Sequence, residues 1–207
     1  KPVHHSEYYR ENERPSYRLA NKCFINVLPI LEAAAKRSSK PCIIAIDGRA
    51  ASGKSTLAKY VSAAIGADIV HMDDFFLQPH QRTPERLTEI GGNVDYERFQ
   101  KEVLSQLQNA NGLFYQKYDC QTQTLGPLQH VDWKPLVIIE GAYSHHPYFG
   151  NLYNLRIFYE ISSAEQRKRI LKRNGAKMLE RFETEWIPKE NQYFNYYKIR
   201  EKSGLLL

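Results

Sequence analysis

The stretch Gly48-Arg49-Ala50-Ala51-Ser52-Gly53-Lys54-Ser55, followed by Thr56, constrains this chain more than any other. It has the form G-x-x-x-x-G-K-S. Ahead of it, Cys42-Ile43-Ile44-Ala45-Ile46-Asp47 is a short apolar run of strand composition. Behind it, Thr56 to Ile65 has helical spacing and stops at Gly66. Strand, glycine loop and helix in that order form the setting of a phosphate-cradling loop. The glycines let the backbone curl until successive N–H groups face inward, and the helix N-terminus adds unsatisfied donors and a positive dipole end. Gly48, Ala50, Ala51, Ser52, Gly53, Lys54, Ser55 and Thr56 are therefore expected to surround a nucleoside triphosphate. Lys54 would reach the β- and γ-phosphates, and the Ser55 hydroxyl would meet Mg²⁺.

Such a loop implies an α/β fold, so the acids at strand ends matter next. Ala67-Asp68-Ile69-Val70-His71 reads as a second strand and delivers Met72-Asp73-Asp74-Phe75-Phe76 at its carboxyl end. Ligands of open α/β sheets collect at that edge. A carboxylate close to a γ-phosphate is costly unless it binds metal or takes a proton from an acceptor hydroxyl, which points to Asp73. Pro135 to Gly141 holds the uninterrupted run Leu136-Val137-Ile138-Ile139 and ends on Glu140. A continuous run is the mark of a strand buried on both faces. Glu140 would then lie beside the loop and share the Mg²⁺ with Ser55. Leu155 to Ile161 reads as another strand. Ser162 opens a capping box for a helix carrying Arg167, Lys168, Arg169, Lys172 and Arg173. Arg169 and Arg173, four apart, share one face that could fold over the triphosphate. A solvated basic face is the plainer alternative.

The remaining segments are less specific. Residues 1–15 are polar and read as a loose arm. From Ser16 to about Lys36 the apolar spacing is helical, with Pro29 expected to kink or interrupt it, and this helix should pack outside the sheet. Residues 78–94 form a loop marked by Pro and Gly. Asp95 opens a helix and serves equally well as its cap. Leu113–Tyr118 and Thr124–Val131 read as a β-ribbon limited to an edge by Gly126-Pro127. Another amphipathic helix begins at Ala176 and should stop near Pro188. The aromatic-rich tail should pack back on the body.

Composition excludes several classes. At 207 residues with 42% hydrophobic content, the chain suits one domain (41–207) preceded by an arm and helix (1–40) packing on it. No apolar run approaches the ~20 residues of a membrane span. Three cysteines without C-x-x-C spacing argue for reduced, buried thiols in a cytoplasmic protein, with no zinc site. The net charge of +6 is spread along the chain rather than gathered in one block, so nucleic acid is not the expected partner. A small-molecule acceptor and a nucleoside triphosphate are. Assembly as a homo-oligomer is left open.

In order, GRAASGKST, MDDFF, NVD, KYD, VIIEG and a basic helix together resemble the uridine kinase family of small-molecule kinases. MDDFF is also similar to nicotinamide riboside kinases. The likeness covers roughly residues 41–175. It implies a three-layer P-loop domain with a mostly parallel sheet of about five strands, a lid helix and a small β-ribbon. It also implies ATP and Mg²⁺ as cosubstrate and cofactor, with a nucleoside-like alcohol as acceptor. By position, Asp73 resembles the acid that accepts the acceptor's proton, and Glu140 the metal-side acid. Asp95 resembles a residue that bonds ribose hydroxyls, Tyr118 an aromatic near the nucleobase, and Arg169 and Arg173 the lid cations. After Tyr118-Asp119 the text departs from the family: Cys120-Gln121-Thr122-Gln123-Thr124 lacks its His- and Arg-bearing hairpin, so the base-reading residues have no match. A kinase for another small alcohol, or a nucleotide-dependent switch, are the alternatives.

Overall fold

Alternation decides this architecture. Along each central strand, successive residues enter different cores, so helices must cover both faces. The computed structural model describes residues 6–13, 25, 27–35, 42–107, 112–131 and 136–207. Helices Glu7–Glu13 (α1) and Leu28–Ala35 (α2) precede strand Cys42–Gly48 (β1). After the loop, helix Lys54–Ile65 (α3) leads to strand Asp68–His71 (β2). Short helices Pro84–Thr88 (α4) and Tyr96–Glu102 (α5) come next, then the hairpin Leu113–Asp119 (β3) and Thr124–Val131 (β4). Leu136–Glu140 (β5) and Leu155–Tyr159 (β6) return to the sheet. Ser163–Asn174 (α6), Ala176–Arg181 (α7), Ile187–Tyr197 (α8) and Leu205–Leu206 (β7) complete the chain.

The sheet has the order β2-β5-β1-β6-β7, and every pairing in it is parallel. Ile44, Ile46, Leu136, Ile138 and Ile157 join one core with Val27 and Ile30, ahead of and within α2, and Leu57, Ala58 and Val61 of α3. Ile43, Val137, Ile139 and Phe158 join the other, with Phe99 of α5 and Tyr193 and Phe194 of α8. Each fully buried Ile contributes about 2 kcal/mol. These paired cores make a three-layer domain, as the sequence implied. The hairpin forms its own two-stranded sheet.

Register then positions the chemistry. Ile46 and His71 both pair with Glu140, and Gly48 pairs with Tyr159. The carboxyl ends of β2, β5, β1 and β6 therefore meet along one edge.

Several expectations change. The fifth strand is β7 from the extreme C-terminus, which hydrogen-bonds to β6: Leu207 N–H donates to Phe158 O at 3.1 Å. Pro188 does not stop a helix but sits in the first turn of α8. Ahead of it, Phe182–Trp186 winds as a wider π-helical turn. The backbone stays helical through this turn into α8, with Ile187 N–H donating to Phe182 O, and the widened turn lets the helix pass a proline that has no N–H to give. Pro29 lies in the first turn of α2, which begins at Leu28. Residues 16–24, 26 and 36 of that expected helix, Cys23 among them, lie outside the described residues. The polar arm contains α1, none of whose residues is buried. Cys42 is buried but Cys120 is exposed, against the expectation of buried thiols. Within the 78–94 loop, Arg86 clamps the chain by donating to Gly92 O, Val94 O, the Tyr96 hydroxyl and the Glu97 carboxylate. Among the described residues, no helix is long and apolar enough to cross a membrane.

Candidate phosphoryl-transfer site

The glycine loop between β1 and α3 is shaped for close backbone approach. Gly48 has φ 140°, and a Cβ there would lie 2.3 Å from Tyr159 O, so no side chain fits. Ala51 at φ 59° and Gly53 at φ 112° carry the turn through the left-handed region. The loop's carbonyls face α6: Ala50 O accepts from the Gln166 amide at 3.2 Å, and Ala51 O and Ser52 O accept from Arg169 Nη1 at 3.3 and 2.8 Å. Because the peptide is planar and trans, the Ala51 and Gly53 N–H groups point the opposite way from the carbonyls before them, while the Ser52 N–H closes the turn on Arg49 O at 3.2 Å. Ser52 Oγ lies buried there without a hydrogen-bond partner. Amides turned inward, with an unpartnered hydroxyl beside them, fit a phosphate chain.

Lys54, which is buried, donates to Gly48 O and Arg49 O, both at 2.8 Å. Ser55 Oγ donates to Glu140 Oε2 at 3.1 Å. The other Glu140 oxygen is held by His71 Nδ1 in a short contact. That hydrogen bond, ahead of any other influence, raises the His71 imidazole above its ordinary value. His71 is the last residue of β2 and enters because β2 pairs with β5. Its role shows only once that pairing is known.

Asp73 follows two residues later. Gly141 at φ 136° lets the β2 end come close: a Cβ there would lie 2.8 Å from Met72 Cβ. This approach sets Asp73 beside the Glu140 end of β5. The Asp73 side chain opens to solvent at the mouth of the site, yet protein crowds it from behind. Desolvation raises its carboxyl above the ordinary range, the Glu140 charge adds to this, and Lys54 and His71 oppose it. Asp74 turns to the hairpin instead, accepting from the Tyr115 hydroxyl at 3.3 Å and pairing with Lys117 at 3.4 Å.

The other sequence-selected residues divide. Arg169, steadied by Glu165 at 2.9 Å, lies on the loop. Arg173 does not join it, and its Nε donates to Asn174 at 2.7 Å. Asp95 is buried as the cap of α5, accepting from Arg98 N–H at 3.0 Å, with the Arg98 guanidinium 3.6 Å away. Tyr118 is also buried, and its hydroxyl accepts from Arg82 at 3.3 Å. Thr56 is exposed at the start of α3.

Sequence reasoning missed Glu190. This buried α8 residue accepts the Ala50 N–H through both carboxylate oxygens, at 3.2 and 3.1 Å. Nothing in its local sequence marks it, since the contact spans the chain from tail to loop. An open cleft of about 590 Å³ adjoins the same region, lined by Arg49, Phe158, Ser162, Asn191, Phe194 and Arg200 among others. It lies on the β6–α8 side of the loop.

Among the described residues no three His, Cys, Asp or Glu side chains gather to hold a metal alone. Ser55 and Glu140 present two hard oxygen donors side by side, which suits Mg²⁺ if phosphate oxygens and water supply the rest of its shell. The residues fit that cofactor.

No family model matches the sequence, and no curated protein matches it. Solved structures do match the fold. A possible uridine kinase from Bacillus stearothermophilus is 17% identical, with 89% of this chain and 96% of that chain covered and a TM-score of 0.68. At that identity the match establishes a shared α/β fold. TT1252 from Thermus thermophilus (18% identical, 82% and 88% covered, TM-score 0.46) and deoxyadenosine kinase from M. mycoides with bound dATP (16%, 80% and 90%, 0.41) overlap too loosely to carry an argument.

Proposed function

We propose that this chain is a cytoplasmic, uridine kinase-like phosphotransferase that moves the γ-phosphate of ATP to a hydroxyl of a small nucleoside-like acceptor. The observation that carries this reading is the placement of Asp73. It stands at the sheet edge within the electrostatic reach of Lys54 and Glu140, while Ser55 and Glu140 are in direct contact. A loop that only holds nucleotide has no use for a second acid with a raised value facing it. The matching fold of a possible uridine kinase adds support.

In this reading the loop amides and Lys54 bind the triphosphate, and Ser52 Oγ gains the partner it lacks. Mg²⁺, when bound, would neutralise negative charge on the triphosphate. Ser55 and Glu140 would hold it, and His71 orients Glu140. Asp73 takes the proton from the acceptor hydroxyl as its oxygen bonds to the γ-phosphorus. The bond from that phosphorus to the β-phosphate oxygen breaks, and ADP leaves with the electron pair. Arg169, already on the loop, moves to developing charge with little rearrangement. Arg173 becomes a lid cation only if α6 shifts. Asp95 steadies the acceptor wall from behind α5, and Tyr118 lines that wall beside Arg82.

The test is Asp73→Asn with a panel of nucleosides and other small alcohols, reading acceptor-dependent ADP release. Acceptor-stimulated turnover should fall at least ~10²-fold while ATP still binds. Unchanged turnover in Asp73→Asn sinks the assignment. Stimulation only by alcohols other than nucleosides would move the acceptor class, and ADP release indifferent to every acceptor would favour a nucleotide switch.

A further inference from the structure

Helix α8 sets a carboxylate against the donor loop. Glu190 is 5% exposed, and both its oxygens lie on the N–H of Ala50. Four groups from separate parts of the fold face it: the cations Lys54 of α3 and Arg49 of the loop, the acid Asp47 of β1, and Tyr143 from the segment after β5. Lys54 does not bond it directly, since its Nζ is bound to Gly48 O and Arg49 O. The helix is anchored at this height by the Tyr193 hydroxyl, which donates to Asp47 at 2.9 Å. Arg49 O faces inward to Lys54, so across the trans peptide the Ala50 N–H points outward, and the carboxylate it holds stands behind the loop within electrostatic reach of Lys54.

We propose that Glu190 is an anion tethered to the outer side of the phosphate loop, and that nucleotide binds against its charge, so that Glu190 sets both the strength and the pH dependence of nucleotide binding. This rests on reading the loop as a triphosphate site. Burial, with Asp47 adding to it, has pushed the Glu190 carboxyl up to about 7 against the pull of Lys54, the Ala50 N–H and Arg49. Phosphate arriving on the neighbouring amides disfavours the ionised form further. The protein then takes up a proton as nucleotide binds, and the dissociation constant rises by up to about tenfold per pH unit above neutrality. A strut that merely braced the loop would behave otherwise: its removal would weaken binding equally at every pH.

The experiment is calorimetric titration of the full chain and of Glu190→Gln with ATP and Mg²⁺, from about pH 6 to about pH 9, in two buffers of different ionisation enthalpy. ATP's own titration is common to both proteins, so their difference reads Glu190. The wild type should take up protons near pH 8, and Glu190→Gln should take up fewer and bind about tenfold more tightly there. Weaker binding by Glu190→Gln with the wild-type pH slope overturns the proposal. If that variant fails to fold by circular dichroism, absence of proton uptake by the wild type above neutrality overturns it alone. No ATP binding by either protein at any pH removes the reading of the loop, and this inference with it.

Discussion

Tyr193 and Asp47 meet in the interior, both 0% exposed, with the Tyr193 hydroxyl donating to Asp47 Oδ2 at 2.9 Å. Asp47 is the residue before the glycine loop. It also accepts N–H groups from Gly48 at 2.7 Å, Tyr143 at 3.2 Å and His145 at 3.0 Å. A buried carboxylate is tolerable only when so many donors converge on it. The tail helix therefore completes the foundation on which the loop stands. Burial raises the Tyr193 hydroxyl above its ordinary value, so it remains a donor.

Removing that donor should be felt as stability. Tyr193→Phe leaves Asp47 short of one partner without changing the ring, at a cost of about 1–3 kcal/mol. Urea unfolding followed by circular dichroism measures it. A midpoint equal to that of the wild type would show that the remaining three donors suffice.

His71 should matter through Glu140 rather than through substrate. With His71→Ala, Glu140 keeps its contact with Ser55 but loses the group that holds its other oxygen. The Mg²⁺ concentration giving half-maximal activity should rise about 10- to 100-fold, with a smaller change at saturating Mg²⁺. An Mg²⁺ curve superimposable on the wild type's would remove His71 from the site.

Acid should destabilise the fold through two histidines. Burial pushes His146 down to about 4, and His145, packed against Asp47, is lowered by the same cause. Both stay neutral in the folded state while the unfolded chain takes up protons from about pH 6.5 downward. The unfolded state thus binds more protons in this window, and stability falls as pH drops from about 6.5 toward about 4. The His146 contribution amounts to about 3 kcal/mol across the window. His146→Asn should flatten the stability-against-pH curve between those limits while leaving the His145 part. Parallel curves for variant and wild type would contradict this.

Local pattern carries a good deal of this protein. The G-x-x-x-x-G-K-S loop, the buried runs of β1 and β5 and the S-x-x-E cap of α6 are each written within a dozen residues. Their signals are backbone geometry and burial on both faces, and those act over short spans. Asp73 and Glu140 could be picked out for the same reason, each standing at the end of such a strand. Other parts depend on which strands become neighbours. His71 reaches Glu140 because β2 pairs with β5, and that pairing skips over α4, α5 and the hairpin. Arg169 and Arg173 look equivalent on a helical face, yet the docking angle of α6 sets one on the loop and leaves the other with Asn174. Pro188 reads as a stop, but a π-helical turn ahead of it carries the helix past it. The tail carries no motif, although its helix brings Glu190 to Ala50 and Tyr193 to Asp47. Contacts across 140 residues leave no periodic trace in a single chain, because only packing selects which buried polar groups become partners. The glycine loop could be recognised from its own residues, and the carboxylate it already holds became visible only when the chain closed back upon it.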